Sequence, residues 1–501
     1  MTMQKVWQLL RTDYLKIVPV LLLAFYVSFI PHLDYPYPLH VDEWVHLARS
    51  GAMLESGSPT ISDPLLGGAT LSLSNNLEAG FQLFWAGFQA ISGISWMDIY
   101  RYFPSIIFMI TVFSVYILGR KEGFGFEAAF FTCLIPTTVG VLGPAFLVPA
   151  SMGLLFTPLI LFLAINFSNI RTYVLIFVLI SFLLSIHAPS AIYPIIMLIP
   201  YILLNLKGNF RHSLGIGLSL FLPFIIIFPW IFNLVKSTAG GLLAQADVSE
   251  FVQLPRVVQD YGYLPLSICL LGIFLLALKG GKKEYSLVLG FLAMLLMLVS
   301  YYTFHYGVSI MYERGLTFML LIAGIVGGVG LAWIKNLKLP ERLSELIKAP
   351  LVTQNIGKIP YLTLIVIILV ITIPERQSIP YYKMIDKVDY EAFTWIEESL
   401  DSTYSRAIVD PWKATAFSAI TGKQAYTRIH SYPMEKDDWA YEFLRGGSTN
   451  TTFLRENGIS IVYNRVYNDP VTENTWYSID NPDLVEVAEG IYVLAETKAE
   501  D

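Results

Sequence analysis

Residues 315–334 read GLTFMLLIAGIVGGVGLAWI, a run of twenty residues without a charged side chain. A helix of ~20 apolar residues is long enough to cross the hydrocarbon core of a membrane. Ten other strongly apolar runs lie near residues 14–30, 103–119, 127–146, 151–167, 172–187, 189–204, 213–235, 263–278, 285–304 and 359–374. The pattern predicts a polytopic α-helical membrane protein with about eleven spans.

The overall composition agrees with this class of protein. Hydrophobic residues make up 55% of the 501 residues and charged residues only 14%, against about 25% in an ordinary soluble protein. The formal net charge is −6, and the lack of a basic stretch argues against a nucleic-acid partner. The composition therefore excludes a soluble enzyme and a disordered chain.

Charge divides the chain into two parts. Residues 375–501 hold 22 acidic and 12 basic side chains, whereas residues 1–374 hold 17 and 21. We therefore predict a membrane domain over 1–374, with a long first external loop at 31–102, and a soluble external domain over 375–501. Helical and β-rich segments alternate in this tail, which predicts a small α/β domain.

The side of the membrane follows from lysine and arginine, which favour cytoplasmic loops. Lys5, Arg11 and the Arg120-Lys121 pair fall on one side if residues 80–94 form an interfacial or re-entrant helix instead of a span. The N-terminus is then inside and the acidic tail outside. Charges within the spans are almost absent and no internal repeat is evident, which disfavours a transporter. We expect a multi-pass protein of the cell membrane with its active site on the external face.

The first external loop contains an acidic pair, in LHVDEWVHLARSGAML at residues 39–54. Asp42 and Glu43 follow the first span directly and begin a helical pattern. One interpretation is an acid that caps an interfacial helix, where it complements the helix dipole. The other is a catalytic carboxylate, because charges beside hydrocarbon are costly and tend to be functional.

An Asp-Glu pair directly after the first span, opening a long external loop, resembles the GT-C superfamily of membrane glycosyltransferases. Its members include protein O-mannosyltransferases, aminoarabinose transferases and the catalytic subunits of oligosaccharyltransferases. The order of interfacial helix, second span, basic turn and third span is also similar to oligosaccharyltransferases, as is the external C-terminal domain. The resemblance implies sugar transfer from a polyprenyl- or dolichyl-phosphate-linked donor to a lipid, glycan or protein acceptor, usually with inversion.

The resemblance also implies roles for individual residues. Asp42 matches the catalytic carboxylate, and Glu43 would tune it or bind sugar hydroxyls. Arg314, in HYGVSIMYERGLTFML at residues 305–320, matches an arginine that contacts the donor phosphate. A guanidinium is always ionised and binds phosphate in a bidentate manner. The alternative for Arg314 is a snorkelling ion pair with Glu313 at a span end.

Weaker candidates complete the predicted site. His187 would bind the donor phosphate, or is an ordinary interfacial histidine. The substrate pocket would also include His40, His46, Tyr312 and Glu313. Because HVDEWVH matches no strong zinc signature, we expect no cofactor, with a divalent metal as the alternative.

Two rival functions remain open from the sequence. The first is oligosaccharyl transfer to Asn, although DPWKATAFSAITG at residues 410–422 stands where such enzymes carry a WWDYG-like acceptor motif. The second, from another class, is a flippase or transporter of lipid-linked sugar.

Overall fold

The computed structural model describes residues 13–65, 67, 69–138, 140–242, 253–305, 308–338, 356–381, 383–429, 433–467 and 474–495. Its helices are α1 (Asp13–Lys16), α2 (Val18–Phe29), α3 (Val41–Ser56), α4 (Ala79–Ser92), α5 (Trp96–Arg120), α6 (Gly125–Thr132), α7 (Pro149–Asn166), α8 (Ile170–Ile186), α9 (Ala188–Asn205), α10 (Phe210–Leu242), α11 (Leu254–Tyr261), α12 (Tyr263–Lys279), α13 (Lys282–Phe304), α14 (Ser309–Lys335), α15 (Lys358–Gln377), α16 (Lys387–Ser399), α17 (Ala414–Thr421), α18 (Glu435–Arg445) and α19 (Thr451–Glu456). Its strands are β1 (Ile61–Ser62), β2 (Thr70–Leu71), β3 (Arg406–Ile408), β4 (Gln424–Ala425), β5 (Ile461–Tyr463), β6 (Arg465–Val466), β7 (Thr475–Trp476), β8 (Leu484–Ala488) and β9 (Ile491–Leu494).

The chain forms two compact units. The first combines residues 1–33 with 102–380, and the second combines residues 34–101 with 381–501. Charge alone placed the domain limit at 374/375 and left the first loop with the membrane part. Packing groups most of that loop with the C-terminal segment. Helix α3 of the loop packs against α17 of that segment, and α4 packs against α3.

The polytopic helical class is confirmed, but the count of eleven spans is not. Within the described ranges, seven helices are long and apolar enough to cross a membrane, or eight if the pair α11 and α12, bent by 94°, counts as one span. These seven are α5, α7, α9, α10 (over Phe210–Pro229), α13, α14 and α15.

The runs that fall short explain the lower count. The predicted span at 127–146 is helical only in α6 and continues as turns and irregular backbone. Helix α8 and Val18–His32 are shorter apolar helices. Residues 80–94 fold as the 14-residue helix α4, as expected of a segment that is not a span. The orientation stays a prediction, and Lys5 and Arg11 lie outside the described residues.

Helix α14, which contains the apolar run at residues 315–334, is the central helix of the first unit. In the 18-residue apolar stretch of α14, 83% is buried inside the protein, against 17% in the corresponding stretch of α15. A Cβ on Gly328 would collide with the backbone of Ala128 in α6, and one on Gly330 with the carbonyl of Ile268 in α12. Small residues let membrane helices approach this closely. The glycines of the run therefore decide which helices α14 packs against.

The second unit contains a five-stranded sheet in the order β4-β3-β5-β9-β8. Strands β4, β3 and β5 are parallel, and β9 and β8 continue the sheet antiparallel. The Tyr463 ring packs against Phe393 of α16, whereas Val462 joins an apolar cluster with Phe443 of α18. Successive residues of a strand face opposite sides, so helices cover both faces and the predicted α/β domain is confirmed.

Helix α3 is held within this same unit by two apolar clusters. Met53 packs with Ala79 and Ala86 of α4. Val45 and Ala48 pack with Leu65 and with Ala419 of α17. The start of α3, which carries the acidic pair, is thereby fixed against both α4 and the C-terminal α/β domain.

Candidate active site

The acidic pair sits at the N-terminus of α3, where a capping box fixes the backbone. His40 is the N-cap residue, and its Nδ1 accepts a hydrogen bond from the backbone N–H of Asp42 at 3.1 Å. Glu43 Oε2 accepts the backbone N–H groups of Leu39 at 2.8 Å and His40 at 3.1 Å. The first turn of a helix leaves such N–H groups without partners inside the helix. These side chains satisfy two of them, at His40 and Asp42, and the N–H of Leu39 just before the helix.

Asp42 differs from its neighbours because its carboxylate reaches solvent. Its side chain is 20% exposed, with Oδ2 3.8 Å from His40 Nδ1. Since that nitrogen already accepts an N–H, the neutral tautomer of His40 carries its proton on Nε2. Asp42 is therefore positioned by its backbone and by the helix N-terminus, whose dipole favours a carboxylate.

Glu43 is fully buried, and its carboxylate is engaged with the backbone. Glu43 therefore holds the backbone at the start of α3, and its predicted contact with sugar hydroxyls stays a prediction. His46, four residues after Asp42, is also buried. Its ring packs edge-on against Phe81 at 4.9 Å, with Nε2 4.0 Å from Glu78 Oε2, so it contributes to the contact between α3 and α4.

The structure adds three charged residues that the sequence reading missed. Arg49 donates from Nη2 to Asp63 Oδ2 at 2.9 Å, and Asp63 is fully buried. Arg428, from the C-terminal segment, lies in the electrostatic field of Asp63, Arg49 and Asp42. Burial lowers the pKa of Arg428, and the attraction of Asp63 opposes that effect. Arg428 Nη1 is buried and makes no hydrogen bond with the residues that the structure describes.

These residues differ in whether the sequence could have revealed them. Arg49 stands in the same segment as Asp42, two helical turns further on, so its i, i+7 spacing was a usable signal. Arg428 is separated from Asp42 by more than 380 positions, and no local pattern connects them. Only the packing of α3 in the second unit brings their charges together.

The predicted phosphate-binding residues belong to the first unit. Arg314 lies in the second turn of α14, 18% exposed, with Nη1 3.9 Å from Glu313 Oε2. Tyr312 is buried and stacks on Tyr301 at 4.9 Å. The predicted contact of Arg314 with donor phosphate stays a prediction.

His187 is buried, at the junction of α8 and α9. Its Nδ1 lies 2.8 Å from Ser190 Oγ. The serine fixes one ring nitrogen, which agrees with the interpretation of His187 as a satisfied histidine at a helix start. Its predicted contact with donor phosphate stays a prediction.

The segment that replaces the WWDYG-like motif forms a buried polar network. Asp410 accepts the backbone N–H of Trp412 at 2.8 Å and the hydroxyl of Tyr441 at 2.9 Å. Lys413, fully buried, donates to Asp389 at 2.8 Å. Burial raises the pKa of Asp410. Burial also lowers the pKa of Lys413, and the negative charge of Asp389 opposes that decrease. The network ties α16, α17 and α18 together.

Whether a divalent metal takes part stays a prediction. Glu43 is engaged with the backbone and His46 with α4, which leaves His40 and Asp42. Across the part of the chain that the structure describes, no group of three or more His, Cys, Asp or Glu side chains could hold a metal ion.

The fold is similar to that of solved membrane glycosyltransferases. The chain has the fold of GT-C membrane glycosyltransferases, as the resemblance around Asp42 and Glu43 predicted. An oligosaccharyltransferase of Archaeoglobus fulgidus, tethered with an acceptor peptide containing the NVT sequon, matches 90% of this chain and 69% of its own, with a TM-score of 0.58 and 12% identity.

Two further solved structures share this fold. AglB from Archaeoglobus fulgidus, in complex with an inhibitory peptide and a dolichol-phosphate, matches 90% of this chain and 70% of its own, with a TM-score of 0.57 and 13% identity. The arabinofuranosyltransferase AftD from Mycobacteria matches 97% of this chain, with a TM-score of 0.59 and 14% identity, and this chain spans 40% of its length. No protein-family model and no curated protein matches by sequence, so the likeness is one of fold.

Proposed function

We propose that this protein is a membrane glycosyltransferase that transfers a sugar from a polyprenyl- or dolichyl-phosphate-linked donor to an acceptor at the external face. The observation that carries the proposal is the position and exposure of the Asp42 side chain. In a chain with the GT-C fold, this acid is held at a capped helix start and its carboxylate reaches solvent, while Glu43 beside it is buried. The fold neighbours with dolichol-phosphate and acceptor peptide support a lipid-linked donor.

Asp42 is the catalytic carboxylate in this proposal. The nucleophilic atom of the acceptor attacks the anomeric carbon of the sugar from the face opposite the phosphate. The carbon–oxygen bond to the phosphate breaks, its electrons leave with the lipid phosphate, and the nucleophile's proton passes to Asp42. Attack from the opposite face inverts the anomeric centre. Base catalysis of this kind is worth ~10²–10⁴ in rate.

The leaving phosphate gains charge as its bond breaks, and fixed positive charge stabilises that charge. Arg314 is the proposed partner of the phosphate, because a guanidinium is always ionised and can bind phosphate in a bidentate manner. Glu43 and His40 position Asp42 through the capping box. His46, Tyr312, Glu313 and His187 support these elements by the contacts described above.

A second candidate is transfer to Asn in a peptide, which the likeness to the oligosaccharyltransferase holding a sequon peptide favours. The segment 410–422 differs from the acceptor motif of such enzymes, so we rank this candidate second. A flippase for lipid-linked sugar is the rival from another class. It would move its substrate without forming a new glycosidic bond.

The test uses membranes that contain the full chain, supplied with lipid-linked sugars and candidate acceptors. We expect Asp42→Asn to lower transfer by ~10²–10⁴-fold. The matched control is Asp34→Asn, which changes an exposed acid of the same loop and should retain activity. Near-normal transfer by Asp42→Asn would show that the assignment of the base is wrong, and movement of lipid-linked sugar without a new product would favour the flippase.

The phosphate role has its own measurement. Arg314→Ala should weaken binding of dolichyl phosphate by about 10–150-fold, the effect of losing charge-assisted hydrogen bonds worth ~1.5–3 kcal/mol. Arg314→Lys should restore part of the affinity, since it keeps the charge but loses bidentate geometry. Equal affinity of all three proteins would remove Arg314 from the donor site.

A further inference from the structure

A polar cavity of about 740 Å³ lies in the second unit, separate from the Asp42 carboxylate. One wall is the face of α3 that carries Ala48, Gly51 and Glu55, and other walls come from α16 and α17. Its volume falls within the range of about 300–1,000 Å³ that is typical of small-molecule sites. Asp63 of the candidate active site lines this cavity, but none of the site residues predicted from the sequence does, so the roles proposed above do not account for it.

Small side chains create the space. A Cβ added to Gly51 would meet no atom within 4 Å, although Gly51 sits in the middle of α3, where glycine weakens a helix. Ala48, Ala52 and Ala419 also line the cavity. Larger apolar residues at these positions would fill the gap between α3 and α17.

The lining identifies the chemistry of the ligand. Glu55 and Glu397 both line the cavity, and no lysine or arginine does so among the described residues. Neither glutamate forms an ion pair or a side-chain hydrogen bond within the described part of the chain. Burial and the nearby charge of Glu55 raise the pKa of Glu397. Two mutually repelling carboxylates exclude a phosphate or another anion and accept hydrogen bonds from hydroxyl groups.

Aromatic and hydroxyl side chains complete the lining, including Trp96, Tyr390 and Thr394. Aromatic rings offer an apolar body with a polar tip, which suits the mixed C–H and O–H surface of a sugar. A divalent metal is a poorer match, since the described residues include no group of three or more ligands arranged for one.

We infer that this cavity binds a neutral saccharide, as a subsite for the glycan part of a substrate away from the bond that is made. The inference rests on the proposed function, because it assigns the glycan to the donor or to the acceptor of that transfer. Glu55 and Glu397 accept hydrogen bonds from sugar hydroxyls, and the aromatic side chains contact the sugar ring.

The binding test uses the full chain in lipid nanodiscs, which avoids detergents with sugar headgroups. The probes are mannotriose and arabinotriose as neutral saccharides and trigalacturonate as an anionic one, and binding is followed by saturation-transfer NMR. We expect a neutral trisaccharide to bind and trigalacturonate not to bind. Absence of binding by both neutral probes at millimolar concentration, or preference for the anion, would overturn the inference.

Two variants with matched controls locate the binding. Gly51→Leu fills the cavity and should weaken binding at least tenfold, whereas Gly87→Leu, at an open position of α4, should leave it within twofold. Glu397→Gln should weaken binding about tenfold, and Glu398→Gln, on a neighbour that does not line the cavity, should not. Thermal unfolding of each variant checks folding. If Gly51→Leu does not fold, the glutamate pair decides, and equal affinity of Glu397→Gln and Glu398→Gln overturns the inference.

Transfer kinetics separate the two sources of the glycan and the two proposals. Gly51→Leu should raise KM for the acceptor if the acceptor glycan occupies the cavity, and KM for the lipid-linked donor if the donor glycan does. Asp42→Asn should abolish transfer but retain saccharide binding. If Asp42→Asn retains transfer, the proposed function fails by itself. If Gly51→Leu leaves binding and both KM values unchanged, this inference fails by itself.

Discussion

His40 Nδ1 accepts a hydrogen bond from the backbone N–H of Asp42, so the residue two positions before the proposed catalytic acid fixes the start of its helix. Histidine is an uncommon N-cap, since Ser, Thr, Asp and Asn lead at this position. Glu43 completes the capping box from the other side. The geometry of Asp42 therefore depends on a side chain that need not touch the substrate.

The cap predicts that two variants of His40 differ in stability and in transfer rate. His40→Ala removes the acceptor, which should lower the free energy of unfolding by ~1 kcal/mol and reduce transfer because Asp42 loses its fixed position. His40→Asn keeps an acceptor and should restore both. Thermal unfolding and transfer rates of the two variants measure this. If His40→Asn is as impaired as His40→Ala, the imidazole does more than cap the helix.

Arg428 is the second test, because its charge acts on Asp42 and Asp63 from the C-terminal segment. Arg428→Gln should lower transfer, because it removes a positive charge that attracts the carboxylates of Asp63 and Asp42. Arg428→Lys should recover part of the rate. Arg455→Gln, which changes an exposed arginine of α19, is the control. Steady-state kinetics should show a fall in kcat for Arg428→Gln, and equal behaviour of Arg428→Gln and Arg455→Gln would remove Arg428 from the site.

Acid should destabilise the α/β domain through Asp386. Burial raises the pKa of this carboxyl, but two hydrogen bonds from Arg465, each 2.6 Å long, outweigh burial and lower the pKa to about 2. A carboxyl whose pKa is lower in the folded state stabilises that state above its unfolded value near 3.9. This stabilisation is lost as the pH falls from about 4 to about 2.

The matched variant for this pH dependence is Asp386→Asn, because asparagine keeps the N-cap of α16 but not the ion pair. The unfolding temperature of the variant should be lower at pH 6 and should depend less on pH below 4. Asp438→Asn, on an exposed acid of α18, should follow the unmodified protein. A variant whose acid profile equals that of the unmodified protein would contradict the assignment to Asp386.

Helix packing in the first unit predicts a contrast between two glycines. Gly328→Ala would place a methyl group against the backbone of Ala128, and overpacking of this kind costs ~1–3 kcal/mol. Gly217→Ala, in α10, meets open space and should be neutral or slightly stabilising. Unfolding temperatures in nanodiscs measure both. Equal stability of the two variants would mean that α6 and α14 do not pack closely at Gly328.

Local patterns identified the elements well. The alternating helical and β-rich segments predicted in residues 375–501 fold as helices and strands, and the helix after the first apolar run begins where Asp42 and Glu43 indicated. The span at 127–146 was wrong as a continuous helix, although most of its residues are apolar. Apolar composition indicates that a segment is buried, but it does not show that the segment is helical. An irregular segment buried inside a helical bundle has the same composition.

The sequence by itself determined that this is a polytopic helical protein with an α/β tail and an acidic pair after its first apolar helix. Those features depend on composition and on periodicities of a few residues. Only the tertiary structure decided that Glu43 is fully buried while the Asp42 side chain stays 20% exposed, and that Arg428 belongs to the same compact unit as Asp42. These outcomes depend on contacts between segments hundreds of positions apart, because burial and electrostatic fields are set by neighbours in space and not by neighbours in the chain.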